Sequence, residues 1–70
     1  MKTLDLHGIK HIDVQRQVDI ILWDAINTNT SQVEIITGNS EVMKDIVKSI
    51  TNDYGLALID FGARLIIDLI

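Results

Sequence analysis

Two residues near the amino terminus carry the side chains that proton transfer at neutral pH requires. Asp5 and His7 are separated by one residue in the segment Leu4–Gly8, LDLHG. An imidazole changes its charge near neutral pH, and a neighbouring carboxylate favours the protonated ring and fixes its tautomer. The same two groups also suit a divalent metal ion such as Mg²⁺ or Mn²⁺. A structural interpretation stays open as well, in which the two side chains simply satisfy each other on a sheet surface.

A second segment has the composition of a loop that binds an anion. Thr37-Gly38-Asn39-Ser40 follows the short β-branched segment Val33–Ile36 and precedes a helical pattern. The first N–H groups of a helix have no partner within the helix, and together with the helix dipole they attract phosphate. Gly38 would let the backbone approach such a ligand closely. The alternative is an ordinary turn from strand to helix, in which Asn39 or Ser40 serves only as the cap.

Three lysines are candidates to contact a phosphate backbone. Lys44 and Lys48 lie one turn apart on the second predicted helix, away from its apolar stripe, and Lys10 lies near the start of the first helix, where Arg16 is a further candidate. The three lysines equally fit a solvated surface. The net charge is −4, and residues 1–38 and 39–70 each contain three Lys or Arg against five Asp or Glu. Because non-specific affinity for nucleic acid comes mainly from clustered cations, this composition argues against tight binding of a polyanion.

Hydrophobic spacing divides the chain into six elements. Alternating polarity indicates strands, and apolar residues three or four positions apart indicate helices. We predict strands over Lys2–His7, Val33–Ile36, Leu56–Phe61 and Arg64–Ile70, and helices from about Ile12 to Asn27 and from Asn39 or Ser40 to about Asp53.

This order predicts a single α+β domain over residues 1–70, a two-layer βαβαββ sandwich with a mixed four-stranded sheet. The crossovers make the first strands parallel, and the final pair forms an antiparallel hairpin. Two helices cover one face of the sheet, and the other face stays partly open. As members of the first strand, Asp5 and His7 should project onto the open face. Loops after parallel strands share one edge of the sheet, so we expect the Asp5/His7 pair to converge with the Gly38 loop.

Composition favours a soluble, intracellular protein. The chain is 47% apolar and has no cysteine, which argues against disorder and against a disulfide framework. No apolar run is long enough to cross a membrane, and the amino terminus lacks the pattern of a signal peptide. We therefore expect a cytoplasmic location and no membrane partner.

Trp23 falls on the side of the first helix opposite its apolar stripe. On a helical wheel it lies near Ile12 and Ile20. Such an exposed apolar cluster predicts contact with a partner, and either this cluster or the open sheet face fits a homodimer. The alternative is a tryptophan that lies along its own helix.

The two motifs and their separation resemble those of the Smr domain family. That family has an LDxH-type motif at its first strand and an HGxG or TGxG motif after its second. Here the corresponding segments are Leu4-Asp5-Leu6-His7-Gly8 and Thr37-Gly38-Asn39. The resemblance covers nearly the whole chain. It implies a fold like the carboxyl-terminal domain of bacterial translation initiation factor three. The compact length is that of a minimal, stand-alone version, of the kind that a phage would encode.

The resemblance also implies an activity, namely endonucleolytic cleavage of RNA or DNA. Asp5 and His7 then match the first motif, and Thr37-Gly38-Asn39 matches the second. Two departures reduce the backbone surface offered to phosphates. Ser40 stands where the family often has a second glycine, and the last hairpin is shortened to Gly62-Ala63. The alternative is a module that binds nucleic acid, a ribosome or a protein without cutting.

Overall fold

The computed structural model of the protein describes residues 1–69 and has the predicted order of elements. The bounds of these elements agree with the prediction or differ from it by one or two residues. The elements are β1 (Lys2–Asp5), α1 (His11–Asn27), β2 (Gln32–Ile36), α2 (Glu41–Asp53), β3 (Ala57–Asp60) and β4 (Arg64–Asp68). The predicted fourth strand ran to Ile70, which lies outside the described residues.

The sheet has the strand order β1-β2-β4-β3. β1 and β2 are parallel, and β4 lies between β2 and β3, antiparallel to both. In register, Asp5 is opposite Ile36, and Ile36 is opposite Arg64. The mixed four-stranded sheet predicted from the sequence is therefore confirmed.

Both helices pack on the same face of this sheet. Alternate residues of β2 and β4 point into the core, which is why Val33, Ile35, Leu65 and Ile67 are fully buried. The helices close the core with a stripe from each, and they also contact each other. The main stripe residues are Val14, Val18, Leu22 and Ala25 of α1 and Met43, Val47 and Ile50 of α2.

No helix covers the opposite face of the sheet among the described residues, so its side chains meet solvent or one another. Glu34 in the middle of β2 accepts a hydrogen bond from Thr3 at 3.3 Å and a charged one from Arg64 at 2.7 Å. Beside them, Ile59 and Phe61 are about half exposed, at 48% and 57%. The open face thus combines one ion pair with an apolar margin.

Candidate functional site

Three segments of the chain meet at the edge of the sheet where β1 and β2 end. The Leu6 N–H donates to the carbonyl of Ile36 at 3.0 Å, which joins the turn after β1 to the end of β2. The N–H groups of Thr37 and Gly38 both donate to the carbonyl of Ala63, at 3.0 and 2.9 Å. The turn after β1, the loop after β2 and the hairpin between β3 and β4 are therefore hydrogen-bonded in series. This edge, formed by residues 5–10, 37–40 and 61–63, is called the carboxyl edge below.

The turn after β1 places His7 differently from the prediction. The strand ends at Asp5, and the Asp5 carboxylate accepts a hydrogen bond from the backbone N–H of His7 at 2.8 Å. Gly8 then takes a positive φ of 79°, and the Ile9 N–H returns to the carbonyl of Leu6. Aspartate commonly caps a turn in this way, and glycine adopts such a φ without strain. The prediction that His7 continues the strand is therefore wrong, because the chain turns two residues earlier.

This turn leaves the imidazole of His7 accessible. Both Asp5 and His7 are exposed, and the carboxylate binds the backbone of His7 rather than its ring. Within residues 1–69 no hydrogen bond reaches the ring of His7. Asp5 thus fixes the start of the turn that carries His7, and the ring itself faces solvent at the carboxyl edge.

The loop after β2 owes its shape to Gly38, whose φ is 64°. Thr37 is buried, and its hydroxyl donates to the carbonyl of Gly38 at 3.1 Å. Ser40 caps α2, because its hydroxyl accepts the Met43 N–H at 3.2 Å, as one of the two predicted caps. In the described part of the chain, the N–H groups of Asn39 and Ser40 have no hydrogen-bond partner. These two donors remain for a ligand.

Replacing Gly38 with alanine is expected to lower the free energy of unfolding by about 1–2 kcal/mol, the usual cost of a left-handed φ for a residue with a Cβ. Crowding adds nothing to that cost, since a Cβ on Gly38 would meet no atom within 4 Å. Gly38→Asn should cost less, because asparagine tolerates this conformation. Urea unfolding of both variants tests the account. A Gly38→Ala variant as stable as wild type would contradict this prediction.

A scan against protein-family models matches the chain to the Smr domain over residues 4–58. The match begins at Leu4 of the LDLH segment, includes the Gly38 loop and ends within β3. The chain belongs to the Smr domain family. Members of this family act as nucleases or bind nucleic acid. Comparisons with curated proteins and with solved structures found no match. Among residues 1–69, no helix is long and apolar enough to cross a membrane.

The lysines of this Smr domain are less available than the sequence suggested. Lys10 is exposed at the amino-terminal cap of α1, two residues beyond Gly8, and thus belongs to the carboxyl edge. Lys44 is buried, with 7% of its surface exposed, and lies 3.5 Å from Glu41. The prediction that Lys44 points away from the core is wrong, because the buried side of α2 extends beyond the predicted stripe to include Lys44 and Thr51.

Lys48 serves the hairpin of the Smr domain. Its ammonium group lies 2.9 Å from the Asp60 carboxylate. This hydrogen bond is the main reason that the pKa of Asp60 is lowered, and the N–H of Gly62, which donates at 2.7 Å, adds to the effect. The same contact raises the pKa of Lys48. Lys48 therefore stabilises the turn at Gly62 and already has an anionic partner.

Two residues of the open face were not predicted as part of a site. Phe61 follows the last residue of β3, and the guanidinium of Arg64 lies 5.3 Å from the centre of its ring. Arg64 also bonds Glu34, so its position is fixed from two sides. The register places Arg64 in one row with Ile36 and Asp5 across the sheet. The only sequence signal is an aromatic residue beside Gly62 at the tip of the hairpin.

The acidic side chains of the Smr domain form no preformed metal site within the described residues. Within residues 1–69, no group of three or more His, Cys, Asp or Glu side chains is placed to hold an ion. Mg²⁺, however, is commonly held by one or two carboxylates, with water and substrate phosphates completing its shell. Asp5 is the acidic residue of the turn that carries His7, and one of its oxygens already accepts the His7 N–H.

Proposed function

We propose that this Smr domain is an endonuclease that cleaves a phosphodiester bond of RNA or DNA at the carboxyl edge. The observation that carries the proposal is the chain of hydrogen bonds from Leu6 through Ile36, and from Gly38 to Ala63, which brings the turn of His7 and the loop of Gly38 together. Family membership supports a role on nucleic acid. The exposed imidazole of His7 supports chemistry there.

On RNA, the imidazole of His7 acts as a general base and removes the proton of a 2′-hydroxyl. The freed 2′-oxygen attacks the adjacent phosphorus, and the bond from phosphorus to the 5′-oxygen breaks. The leaving 5′-oxygen takes up a proton from water, a 2′,3′-cyclic phosphate remains, and His7 returns its proton to solvent. A neutral imidazole can accept this proton, because one of its two ring nitrogens carries no hydrogen. Asp5 contributes by holding the turn that aims His7. It is a positioning residue in this reaction.

On DNA there is no 2′-hydroxyl, so water must attack the phosphorus. In that reaction Asp5 would hold a divalent ion such as Mg²⁺ or Mn²⁺, which lowers the pKa of bound water and stabilises charge on the phosphate. The second oxygen of Asp5 has no partner within residues 1–69 and is the donor available for it. Dependence of cleavage on added metal therefore distinguishes the reaction proposed for DNA from the one proposed for RNA.

The proposed phosphate site has fewer available backbone N–H groups than the sequence suggested. The N–H groups of Thr37 and Gly38 already donate to Ala63, so Gly38 contributes its conformation rather than its N–H. The N–H groups of Asn39 and Ser40 remain, at the positive end of the α2 dipole. Lys10 adds a positive charge from across the edge.

A base of the bound strand stacks on Phe61 in this proposal. The exposed ring belongs to the same edge as the phosphate site, and neighbouring strands are about 4.8 Å apart, so the row from Asp5 to Arg64 spans roughly 10 Å. Flat aromatic and guanidinium groups stack on any base. Phe61 and Arg64 therefore suit a nucleotide close to the one that is cut.

Phe61→Ala is expected to weaken the binding of single-stranded RNA or DNA by about 1–3 kcal/mol, the usual effect of removing one stacking partner. Phe61→Trp should keep the affinity, because an aromatic face is retained. Ile59→Ala is the matched control, since Ile59 lies two residues before Phe61 and is similarly exposed but has no aromatic face. Fluorescence anisotropy with a labelled oligonucleotide measures the affinities. Equal losses for Phe61→Ala and Ile59→Ala would contradict stacking.

The proposed activity is tested with a panel of labelled RNA and DNA, with and without Mg²⁺ or Mn²⁺. Wild type is expected to nick at least one substrate, and Asp5→Ala is expected to nick it more slowly. Activity without metal identifies the reaction through the 2′-hydroxyl. An Asp5→Ala variant as active as wild type would rule out both proposed roles of Asp5.

A second candidate function is binding without cleavage, to structured RNA, to a ribosome or to a protein. The net charge of −4, the burial of Lys44 and the pairing of Lys48 favour it. A gel-shift assay across a salt series distinguishes the two functions. Stable complexes without product support binding alone, and affinity that falls steeply with salt identifies phosphate as the ligand.

A further inference from the structure

The solvent side of α1 carries an apolar stripe that no other element covers within residues 1–69. Ile12 is 85% exposed, Ile20 56% and Trp23 60%. They line an open groove of about 620 Å³ together with Gln15, Arg16 and Asp19. Such a continuous patch on a small protein marks an interaction surface more often than isolated exposed residues do.

The spacing along this stripe is that of a two-helix seam. Ile12, Arg16, Asp19 and Trp23 follow one another at intervals of four, three and four residues. Intervals of three and four place side chains along the line of contact between paired helices. The opposite side of α1 buries Val14 and its stripe in the domain core, so α1 has two packing sides.

We propose that two copies of this chain associate through α1, with the two helices antiparallel and the two-fold axis passing between residues 17 and 18. In this register Ile12 packs on the partner's Trp23, and Arg16 faces the partner's Asp19. The two-fold axis repeats both contacts, so the four seam residues form four contacts between copies. Ile20 flanks the seam, and its copy lies on the same side of it.

Charge complementarity selects a second copy in this orientation. A parallel pair in the same seam would place Arg16 against the partner's Arg16 and Asp19 against the partner's Asp19, and like charges in contact are strongly unfavourable. The antiparallel register replaces both repulsions with ion pairs. Polar residues within a helical seam commonly fix register and orientation in this way.

Both charged groups are placed for such a contact. The side chain of Arg16 is 67% exposed, and its one ion pair in the described chain is a 3.3 Å contact with Asp13. The carboxylate of Asp19 is held by the hydroxyl of Tyr54 at 2.8 Å and by the amide of Gln15. No salt bridge within residues 1–69 includes Asp19. The carboxylate of Asp19 therefore has a fixed orientation on the seam and no salt-bridge partner within residues 1–69.

The dimer is expected to be weak and to leave the proposed catalytic site untouched. Its central layers are charged and its area is small, so we expect dissociation in the range of about 1–100 μM. α1 begins at the carboxyl edge, and in an antiparallel pair these edges lie at opposite ends. Activity per chain should therefore be the same in monomer and dimer, which keeps this proposal separate from the proposed nuclease.

Charge reversal tests the ion pairs. Arg16→Asp and Asp19→Arg are each expected to raise the dissociation constant at least about tenfold, because each sets like charges face to face. An equimolar mixture of the two variants should dimerise again, since opposite charges would then face each other at both positions. Sedimentation measures the mass, and circular dichroism checks the fold. Asp53→Arg is the control for Asp19→Arg, because it makes the same change at an exposed position at the end of α2. Variants that dimerise like wild type would overturn the pairing.

Cysteine cross-linking tests the register without altering the charges. The chain has no native cysteine, and both Ile12 and Trp23 are exposed, so single cysteines there should not disturb the fold. A mixture of Ile12→Cys and Trp23→Cys is expected to give mainly the mixed disulfide on mild oxidation. Ile12→Cys alone should cross-link poorly, since the two positions would lie about 16 Å apart along the seam, and a disulfide needs Cα atoms within about 7 Å. Efficient cross-linking of Ile12→Cys alone, or a strict monomer up to about 1 mM, would overturn the proposal.

Discussion

His7→Ala is expected to reduce nicking at least about 100-fold, the usual contribution of a positioned general base. The stability of the fold should not change, because the ring of His7 is exposed and no hydrogen bond reaches it within residues 1–69. The backbone N–H that bonds Asp5 is kept in the alanine variant. Single-turnover cleavage of the best RNA or DNA substrate measures the loss.

His11→Ala is the matched control for this experiment. His11 is also exposed, but it is the first residue of α1 and lies beyond the turn that Asp5 caps. We expect its replacement to leave the cleavage rate within about twofold of wild type. Equal losses in the two histidine variants would contradict a specific role of His7 in the reaction.

Asp5→Asn distinguishes the two roles proposed for Asp5, which are to position His7 and to hold a divalent ion. Asparagine can still accept the His7 N–H, so it preserves the turn. It lacks the negative charge that a divalent ion requires. If Asp5 acts only by positioning His7, Asp5→Asn should cleave almost as fast as wild type and Asp5→Ala should be slow. If Asp5 holds a metal, both variants should be slow.

Leu6→Ala is expected to lower the free energy of unfolding by about 2–5 kcal/mol, the range for large-to-small changes in a core. Leu6 lies between Asp5 and His7 and is 1% exposed. Small domains are stable by only about 0.05–0.15 kcal/mol per residue, which for this length is roughly 4–10 kcal/mol. Leu6→Ala should therefore unfold a measurable fraction of the protein and lower its activity through the fold.

Urea unfolding measures this loss, and Val42→Ala is the control. Val42 lies in the first turn of α2 and is 55% exposed, so its truncation should change stability by no more than about 0.5 kcal/mol. A Leu6→Ala variant as stable as Val42→Ala would contradict the view that Leu6 anchors the turn of His7 in the core.

The order and type of the elements were predictable because local patterns determine them. Alternation marks the strands, and the apolar stripe of each helix has the helical period, as in Val14, Val18 and Leu22. The crossover rules then give a parallel first pair. The central place of β4 depends on its long-range pairing with β2, which no local pattern reveals.

The errors at the site have local causes that hydrophobic periodicity does not report. His7 seemed to continue the first strand because its polarity alternates with that of Leu6. Alternation does not show that the Asp5 carboxylate accepts the N–H of His7 and that the strand ends there. Lys44 seemed exposed because the apolar stripe was taken as the whole buried side of α2, and that stripe consists of Met43, Ile46, Val47 and Ile50. Thr51, seven residues after Lys44, is buried as well, so that side is wider than the stripe.

The role of the hairpin was hidden for a further reason. Arg64 bonds Glu34, which is 30 residues earlier in the chain, and Ala63 accepts hydrogen bonds from Thr37 and Gly38. Such partners become neighbours only through the sheet. The sequence motifs identified two of the three segments at the carboxyl edge, and the pairing of β4 with β2 added the third.

An NMR titration of the labelled protein, without divalent metal ions, tests the central claim most directly. The ligand is a short RNA with a 2′-deoxy substitution at the cleavage site, so that neither proposed reaction can cleave it there. The account predicts that the largest shifts fall on the amides of His7, Asn39 and Ser40, with Phe61 and Lys10 following. Shifts confined to the solvent side of α1, or to residues remote from the carboxyl edge, would contradict it.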